Sequence, residues 1–381
     1  MKLLQLTADW KWTGPAEPML HAVTGLRARG HEVDLICPDG PPGAVGTLLQ
    51  RARERGVTPP MLLERARGVR VIRDLAEVRR LRELIRASGY EVVHVHHARD
   101  HLLALRALGL RGRRAAALVA SWHHGEALPL NPMNRWLFGP RSSDALCVLG
   151  ASIAERAREA LGFAEGRVAA LPGVVDLERF RPRSADPALR REFGLESGQR
   201  VVGVVARLQP HRRFDLLLEA FRRALRDAPE LRLIVIGRGT RSQQVLHAPV
   251  ERLGLGDAVI SAGYRGEDFP AVLALLDALV FLVPGSDGSC RAVLEAMAMG
   301  LPVIASRRGL LPEIVADGST GALCDEEAGA LAEVLVDLAR HPVDWAIRGK
   351  AARQRASEHY GLPLYAARLE RFYASLGSAT S

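Results

Sequence analysis

Short apolar runs alternate along the chain with longer stretches whose apolar positions recur at helical spacing. In the first half the predicted strands are Lys2–Leu6, Glu32–Cys37, Val69–Ile72, Val92–His96, Ala117–Ser121 and Ala145–Val148, with helices such as Pro18–Arg29 and Ala76–Ser88 between them. In the second half they are Val201–Ala206, Arg232–Ile236, Ala258–Ser261, Ala278–Leu282 and Pro302–Ala305. The helices there include Asp215–Asp227, Gln243–Leu253, Phe269–Leu275 and Ala292–Met299. Alternating β and α elements predict a parallel, doubly wound sheet, here twice over. Asp176 to Gly198 is polar, with Pro182, Pro187 and many charges, and reads as the linker between the two. The expected division is 1–175, linker 176–198 and 199–361. A final helix, about 362–378 with its pattern over Tyr365–Leu376, is expected to pack back on the first domain.

The stretch richest in chemistry runs from Pro284 to Ser306. An apolar strand is followed by the small residues Gly285, Ser286, Asp287, Gly288 and Ser289, then by strong helix formers. Ser289 is the expected N-cap; Gly300 sits where a glycine ends a helix, and Pro302 blocks its continuation. A loop at the carboxyl end of a strand and the amino end of a helix favours an anion, because free N–H groups and the helix dipole point at it. Asp287 and Glu295 are eight positions apart, about two helical turns.

This stretch resembles the paired-acid signature of the retaining glycosyltransferases of family 4, an acid and a Glu followed by Ala-Met-Ala-x-Gly-x-Pro-Val. Asp287 stands where the family usually has Glu. The resemblance implies the GT-B fold, two Rossmann-like doubly wound domains facing a cleft. Val204–Arg213 is similar to the family's Gly-Arg-Leu-x-x-x-Lys-Gly, with Arg207 in the Arg place, Arg212 in the Lys place and Arg213 instead of the glycine. Two cations on such a loop can hold a diphosphate as it leaves. Gly14-Pro15-Ala16-Glu17 resembles the family's Gly-Gly-x-Glu, with Pro15 lacking the N–H of the second glycine. Ser121-Trp-His-His-Gly125 resembles the strand end whose histidine faces the reacting sugar; His123 is selected by Ser121, and His124 beside the glycine is the other candidate. The turn at Gly237 and the segment around Tyr264 lie, in the family, near the nucleoside. Leu171–Asp176 and Leu310–Leu323 also resemble family segments, and the resemblance is stronger from Pro172 to Leu323 than in the first domain.

By this resemblance His123, Asp287, Arg207 and Arg212 are the expected catalytic set. Gly14, Gly237, Tyr264, Gly288, Ser289, Cys290, Arg291 and Glu295 are the expected donor-binding residues. Asp287 would read the sugar hydroxyls and Glu295 the ribose hydroxyls. No metal and no cofactor are expected; a UDP- or GDP-linked sugar is the substrate.

Composition narrows the partners. With 48% apolar and 25% charged residues the chain is that of a globular protein, and no run has the length of a membrane-spanning helix. Met1–Leu6 reads as a first strand and not as a signal peptide. Cys37, Cys147, Cys290 and Cys324 are scattered without CxxC spacing, which suits a reducing cytosol. The net charge of +9 rests almost wholly on arginine, which base composition can also produce. No nucleic-acid module is recognisable. Charge and the apolar–basic run Met133–Phe138 point to a glycan or lipid-linked acceptor, such as a lipopolysaccharide-type glycan, and charge with basic helices such as Glu77–Ala87 points to peripheral contact at the inner face of the membrane from the cytoplasm. His94 and His96 share one strand face as two metal ligands could, yet no carboxylate-rich partner motif accompanies them. The expected function is that of a retaining hexosyltransferase in cell-envelope glycan synthesis. A nucleotide-sugar 2-epimerase and a catalytically weak sugar-nucleotide-binding subunit are the alternatives.

Overall fold

The computed structural model describes residues 1–12, 15–65, 71–109, 114–284 and 288–377. Two compact units emerge. One comprises Met1–Gly173, Ser286–Ser289 and Leu362–Ser381; the other comprises Val174–Gly285 and Cys290–Gly361.

The first unit runs β1 (Lys2–Leu6), α1 (Ala16–Ala28), β2 (Glu32–Pro38), α2 (Leu48–Glu54), β3 (Leu62–Leu63), α3 (Val71–Ser88), β4 (Val92–Val95), α4 (Ala98–Leu108), β5 (Ala117–Trp122), α5 (Pro132–Phe138), β6 (Ala145–Val148), α6 (Ala151–Leu161) and β7 (Val168–Ala170). Its strands pair in parallel in the order β3-β2-β1-β4-β5-β6-β7. The second unit runs α7 (Pro187–Glu192), β8 (Arg200–Val205), α8 (Phe214–Ala224), β9 (Leu231–Ile236), α9 (Ala248–Arg252), β10 (Val259–Gly263), α10 (Phe269–Leu273), β11 (Ala278–Phe281), α11 (Arg291–Ala298), β12 (Val303–Ser306), α12 (Leu311–Ile314), β13 (Gly321–Cys324), α13 (Ala328–Arg340) and α14 (Pro342–His359). Its parallel order is β10-β9-β8-β11-β12-β13. Both orders follow the doubly wound rule: strands are added outward on one side of the first strand and then on the other.

Each sheet buries a continuous apolar layer under helices, as parallel strands covered on both faces must. In the second unit Val202, Val204, Leu233, Val235 and Val280 pack with Leu217 and Phe221 of α8, Leu331 and Leu335 of α13 and Trp345 of α14. In the first, Leu3, Leu35, Val92 and Val119 pack with α1 and with Leu369, Phe372, Tyr373 and Leu376 of a last helix, α15 (Leu362–Gly377). Helices α1 and α15 touch so closely that a Cβ on Gly25 would lie 2.9 Å from the Ala366 Cβ.

Three local readings of the sequence are corrected. The strand expected over Val69–Ile72 is not formed: residues 71–72 open helix α3, and 69–70 lie outside the described residues. Buried Val78, Leu81 and Ile85 recur at helical spacing and decide the matter over the β-branched residues at its start. Ser289 is not the N-cap of α11; that position falls on Cys290, in the left-handed conformation at φ 54°. Residues 243–253 form a π-helical turn over Gln243–His247 before the short α9, not one α-helix. Residues 174–198 group with the second unit and carry α7.

Arg213 is the other non-glycine residue with positive φ among those described, at 57°, and it stands at the N-cap of α8. An ion pair anchors it there: its Nη1 donates to Glu326 Oε2 at 2.9 Å. A left-handed conformation costs a residue with a Cβ roughly 1–2 kcal/mol, and glycine escapes that cost. Arg213→Gly should therefore be more stable than Arg213→Ala by about 1 kcal/mol, since both lose the ion pair and only alanine keeps the strain. Equilibrium urea unfolding of the two variants checks this; equal midpoints would show that the turn relaxes.

Candidate functional site

In a doubly wound sheet the connections of the two central strands leave on opposite faces, and the crevice between them lies at their carboxyl ends. In the second unit these strands are β8 and β11, paired through Val202, Gly203 and Val204 with Ala278, Leu279 and Val280. Their connections lead into α8 and α11, and both helices start from a left-handed residue, Arg213 and Cys290. The residues singled out by motif collect here. Arg207 is exposed and makes no side-chain hydrogen bond or ion pair among the described residues. Arg212 is half-buried, and its Nη1 donates to the Val283 carbonyl just past β11, which ties the two connections together. Cys290 is buried ahead of α11, and Gly288 and Ser289 before it, which group with the first unit, are buried as well. Arg291 opens that helix, and Glu295 follows one turn later with its Oε1 3.8 Å from the Arg291 Nε. Asp287 lies outside the described residues, as does Gly14.

Neighbouring connections complete the edge. A Cβ on Gly237 would lie 1.9 Å from the Ala206 carbonyl oxygen, so only glycine lets the turn after β9 pass this close to the turn after β8. The Gly237 N–H donates to the Gly263 carbonyl at 2.8 Å, joining the ends of β9 and β10. Tyr264 follows β10, is 66% exposed, and carries the Arg238 guanidinium 4.7 Å from its ring centroid. Four strand ends thus present cations, glycine turns, a helix start and an aromatic face along one edge of the sheet.

The first unit has its crevice between β1 and β4, paired through Gln5 and His94. His94 is the third residue of β4, His96 follows that strand, and His123 follows β5. Their rings are hydrogen-bonded in series. His123 Nε2 lies 2.9 Å from His96 Nδ1, and His96 Nε2 lies 2.7 Å from the Gln5 Oε1. Gln5 Nε2 donates to the Tyr373 hydroxyl at 3.0 Å, and that hydroxyl lies 2.6 Å from His94 Nδ1. His94 Nε2 lies 2.7 Å from Ser121 Oγ. His94 and His96 thus use both ring nitrogens on protein partners. His124 is exposed and lies tilted by 42° against Trp122, with 4.3 Å between ring centroids, apart from this series. At the neighbouring start of α4 the Asp100 carboxylate accepts the backbone N–H groups of His96 and His97 at 2.6 and 2.9 Å. Sequence reasoning passed over Gln5 and Tyr373. The one available signal was that Gln5 is a polar residue in an otherwise apolar strand.

Burial sets the protonation of this cluster. It pushes His94 and His123 down to about 3 and His101 down to about 4, and it holds His96 well below its usual value, with the other histidines adding to the effect on His96 and His123. It pushes the Asp100 carboxyl up to about 6. The unfolded histidines take protons below their usual 6.5 while the folded ones do not, so their stability contribution is complete above that pH and falls as the pH drops. Asp100 acts oppositely, binding a proton in the folded state between about 6 and its usual 3.8. Four rings against one carboxyl predict net uptake of roughly three protons on unfolding near pH 5, about 1.4 kcal/mol of stability per proton per pH unit. Unfolding midpoints from pH 7.5 to 4.5 measure this; a flat profile would mean that the rings are charged in the folded state.

Comparison with known proteins agrees with the geometry. The family model described as Glycosyl transferases group 1 matches residues 186–355, and the one described as Glycosyltransferase Family 4 matches residues 16–179. The GDP-mannose-dependent alpha-(1-6)-phosphatidylinositol monomannoside mannosyltransferase of Mycolicibacterium smegmatis is 32% identical over 374 residues, covering 93% of this chain and 94% of that one. Among solved structures, a glycosyltransferase from Rickettsia africae matches with a TM-score of 0.82 at 15% identity, covering 99% of each chain. Anabaena Alr3699/HepE in complex with UDP matches at 0.78 and 19% identity, covering 98% of this chain and 100% of that one. The two structural likenesses show the fold, which is GT-B; the family models and the full-length relative show the family. The chain belongs to the family 4 glycosyltransferases and is an enzyme of glycosyl transfer.

Proposed function

We propose that this enzyme moves a hexosyl unit from a nucleotide sugar, GDP- or UDP-linked, to a lipid-linked glycan acceptor with retention of anomeric configuration. The observation that carries the reading is the convergence of Arg207, Arg212 and the start of α11 at the carboxyl ends of β8 and β11. Cleavage of the donor leaves a diphosphate whose charge grows toward the transition state. Preorganised cations and backbone N–H groups stabilise that charge more than they stabilise the bound donor. Arg207, Arg212 and the backbone N–H groups around Ser289 to Arg291 take this part. Glu295 accepts from the ribose hydroxyls, a task for an ionised carboxylate. By the family resemblance, Gly237 and the face of Tyr264 are assigned to the nucleoside, Gly14 to the pyrophosphate, and Asp287 and His123 to the sugar. No resident metal or cofactor is needed, because the arginines supply the positive charge.

The Mycolicibacterium relative is named for GDP-mannose and a phosphatidylinositol mannoside, so this pair is the first to assay. Turnover should need both donor and acceptor and should persist in EDTA. Release of free nucleotide from donor alone would instead favour an epimerase. Arg207→Ala and Arg212→Ala should each lower kcat/KM by roughly 10²–10³, the loss of one oxyanion-type donor. Glu295→Gln should chiefly weaken diphosphate binding measured by calorimetry. Full turnover by both arginine variants would remove them from the leaving-group site.

A lipid-linked acceptor implies work at a membrane surface, and we place the enzyme at the inner face of the membrane. No helix among the described residues is long and apolar enough to cross a membrane. Around α5, Leu130, Met133 and Trp136 are exposed while Leu137 and Phe138 are buried, so only part of the apolar run faces outward. Arg79, Arg80 and Arg86 of α3 are exposed as well. Flotation with anionic liposomes should recover the protein at low salt and lose it at high salt. Recovery unchanged in Met133→Glu and Trp136→Glu would rule out this patch as the contact.

A further inference from the structure

The hydrogen-bonded series in the first unit has a direction. A neutral imidazole has one donor and one acceptor nitrogen, so a partner that fixes one nitrogen fixes the other. The Gln5 Oε1 can only accept, so His96 Nε2, 2.7 Å away, carries a proton and donates. His96 Nδ1 is then bare and must accept, and the ring nitrogen 2.9 Å from it, His123 Nε2, must carry the donated proton. His123 Nδ1 is left without a proton. The opposite end is compatible with this direction. The Gln5 Nε2 donates to the Tyr373 oxygen, Tyr373 donates to His94 Nδ1, and His94 Nε2 donates to Ser121 Oγ. No carboxylate touches any of these rings among the described residues; Asp100 accepts only backbone N–H groups of His96 and His97. Were the Gln5 amide reversed, every bond in the series would reverse with it and His123 would carry its proton on Nδ1.

We propose that Gln5, His96 and Tyr373 are positioning residues that hold His123 in the Nε2–H tautomer, so that its Nδ1 is a hydrogen-bond acceptor for a hydroxyl of the transferred sugar. The sugar contact rests on the function proposed above; the tautomer does not. Gln5 reaches His123 through one ring, and Tyr373 reaches it from α15 as the acceptor of the Gln5 Nε2–H. The device resembles the way a buried partner on one imidazole nitrogen sets the chemistry of the other in metal and acid–base sites.

Nitrogen-15 spectra of the full-length protein labelled at histidine test the tautomer directly, with His123→Asn identifying the signal. At pH 7.5 the His123 ring should be neutral and protonated at Nε2. Gln5→Leu and the gentler Tyr373→Phe, which removes a single oxygen, should each produce a mixture of the two tautomers. In the transfer assay each should lower kcat by about tenfold and leave nucleoside diphosphate affinity unchanged, since only the sugar contact is disturbed. A wild-type His123 protonated at Nδ1 or at both nitrogens would overturn the proposal. So would spectra and kcat unchanged in Tyr373→Phe. If no transfer can be detected with any donor, the functional reading fails, and the spectra still decide the tautomer.

Discussion

A parallel sheet brings the carboxyl ends of all its strands to one edge, and the doubly wound order opens a crevice where the winding changes direction. The chemistry of each unit follows from that constraint. In the second unit it falls between β8 and β11, and the motif arginines and the start of α11 stand there because they lie in the connections that leave those strands. In the first unit it falls between β1 and β4, with β5 beside them, and Gln5, His94 and Ser121 near the ends of those strands stand there with His96 and His123 just beyond them. One unit thereby collects cations and helix starts, and the other collects neutral imidazoles, His94 and His96 buried and His123 half-buried.

Most of the fold was legible because covered parallel strands read as unbroken apolar runs, as in Val201–Val205 and Ala278–Phe281. What escaped was short or ambiguous. The two residues of β3 and the three of β7 are too few to make a pattern, and β13 lies in a segment known only by its resemblance. The start of α3 reads as a strand locally because Val71 and Ile72 are β-branched, and only its later turns reveal the helical period. In the site, Arg207, Arg212 and Glu295 were legible because each has a fixed place in a motif next to a strand. The placement of Arg213 in a left-handed turn explains how an arginine fills a glycine position: its ion pair with Glu326, 113 residues on, holds it there. Such a partner is invisible to any local reading. Gln5, His96 and Tyr373 were illegible for the same reason, since their relation exists only in three dimensions.

The packing of α15 ties two distant parts of the chain into one buried polar assembly. Tyr373 satisfies both Gln5 and His94, and 368 residues separate it from Gln5. A nascent chain leaves the ribosome at roughly 5–20 residues per second, so the first unit exists for many seconds with its strands made and this partner still unsynthesised. During that interval the Gln5 Nε2 and the His94 Nδ1 have only water to satisfy them, and the apolar groove beside α1 lies uncovered. The amino-terminal unit therefore matures last in its final detail, after the carboxyl-terminal one has been translated in full. Vectorial synthesis thus makes the closing of the histidine cluster by Tyr373 a late event, completed only once the rest of the described chain is in place.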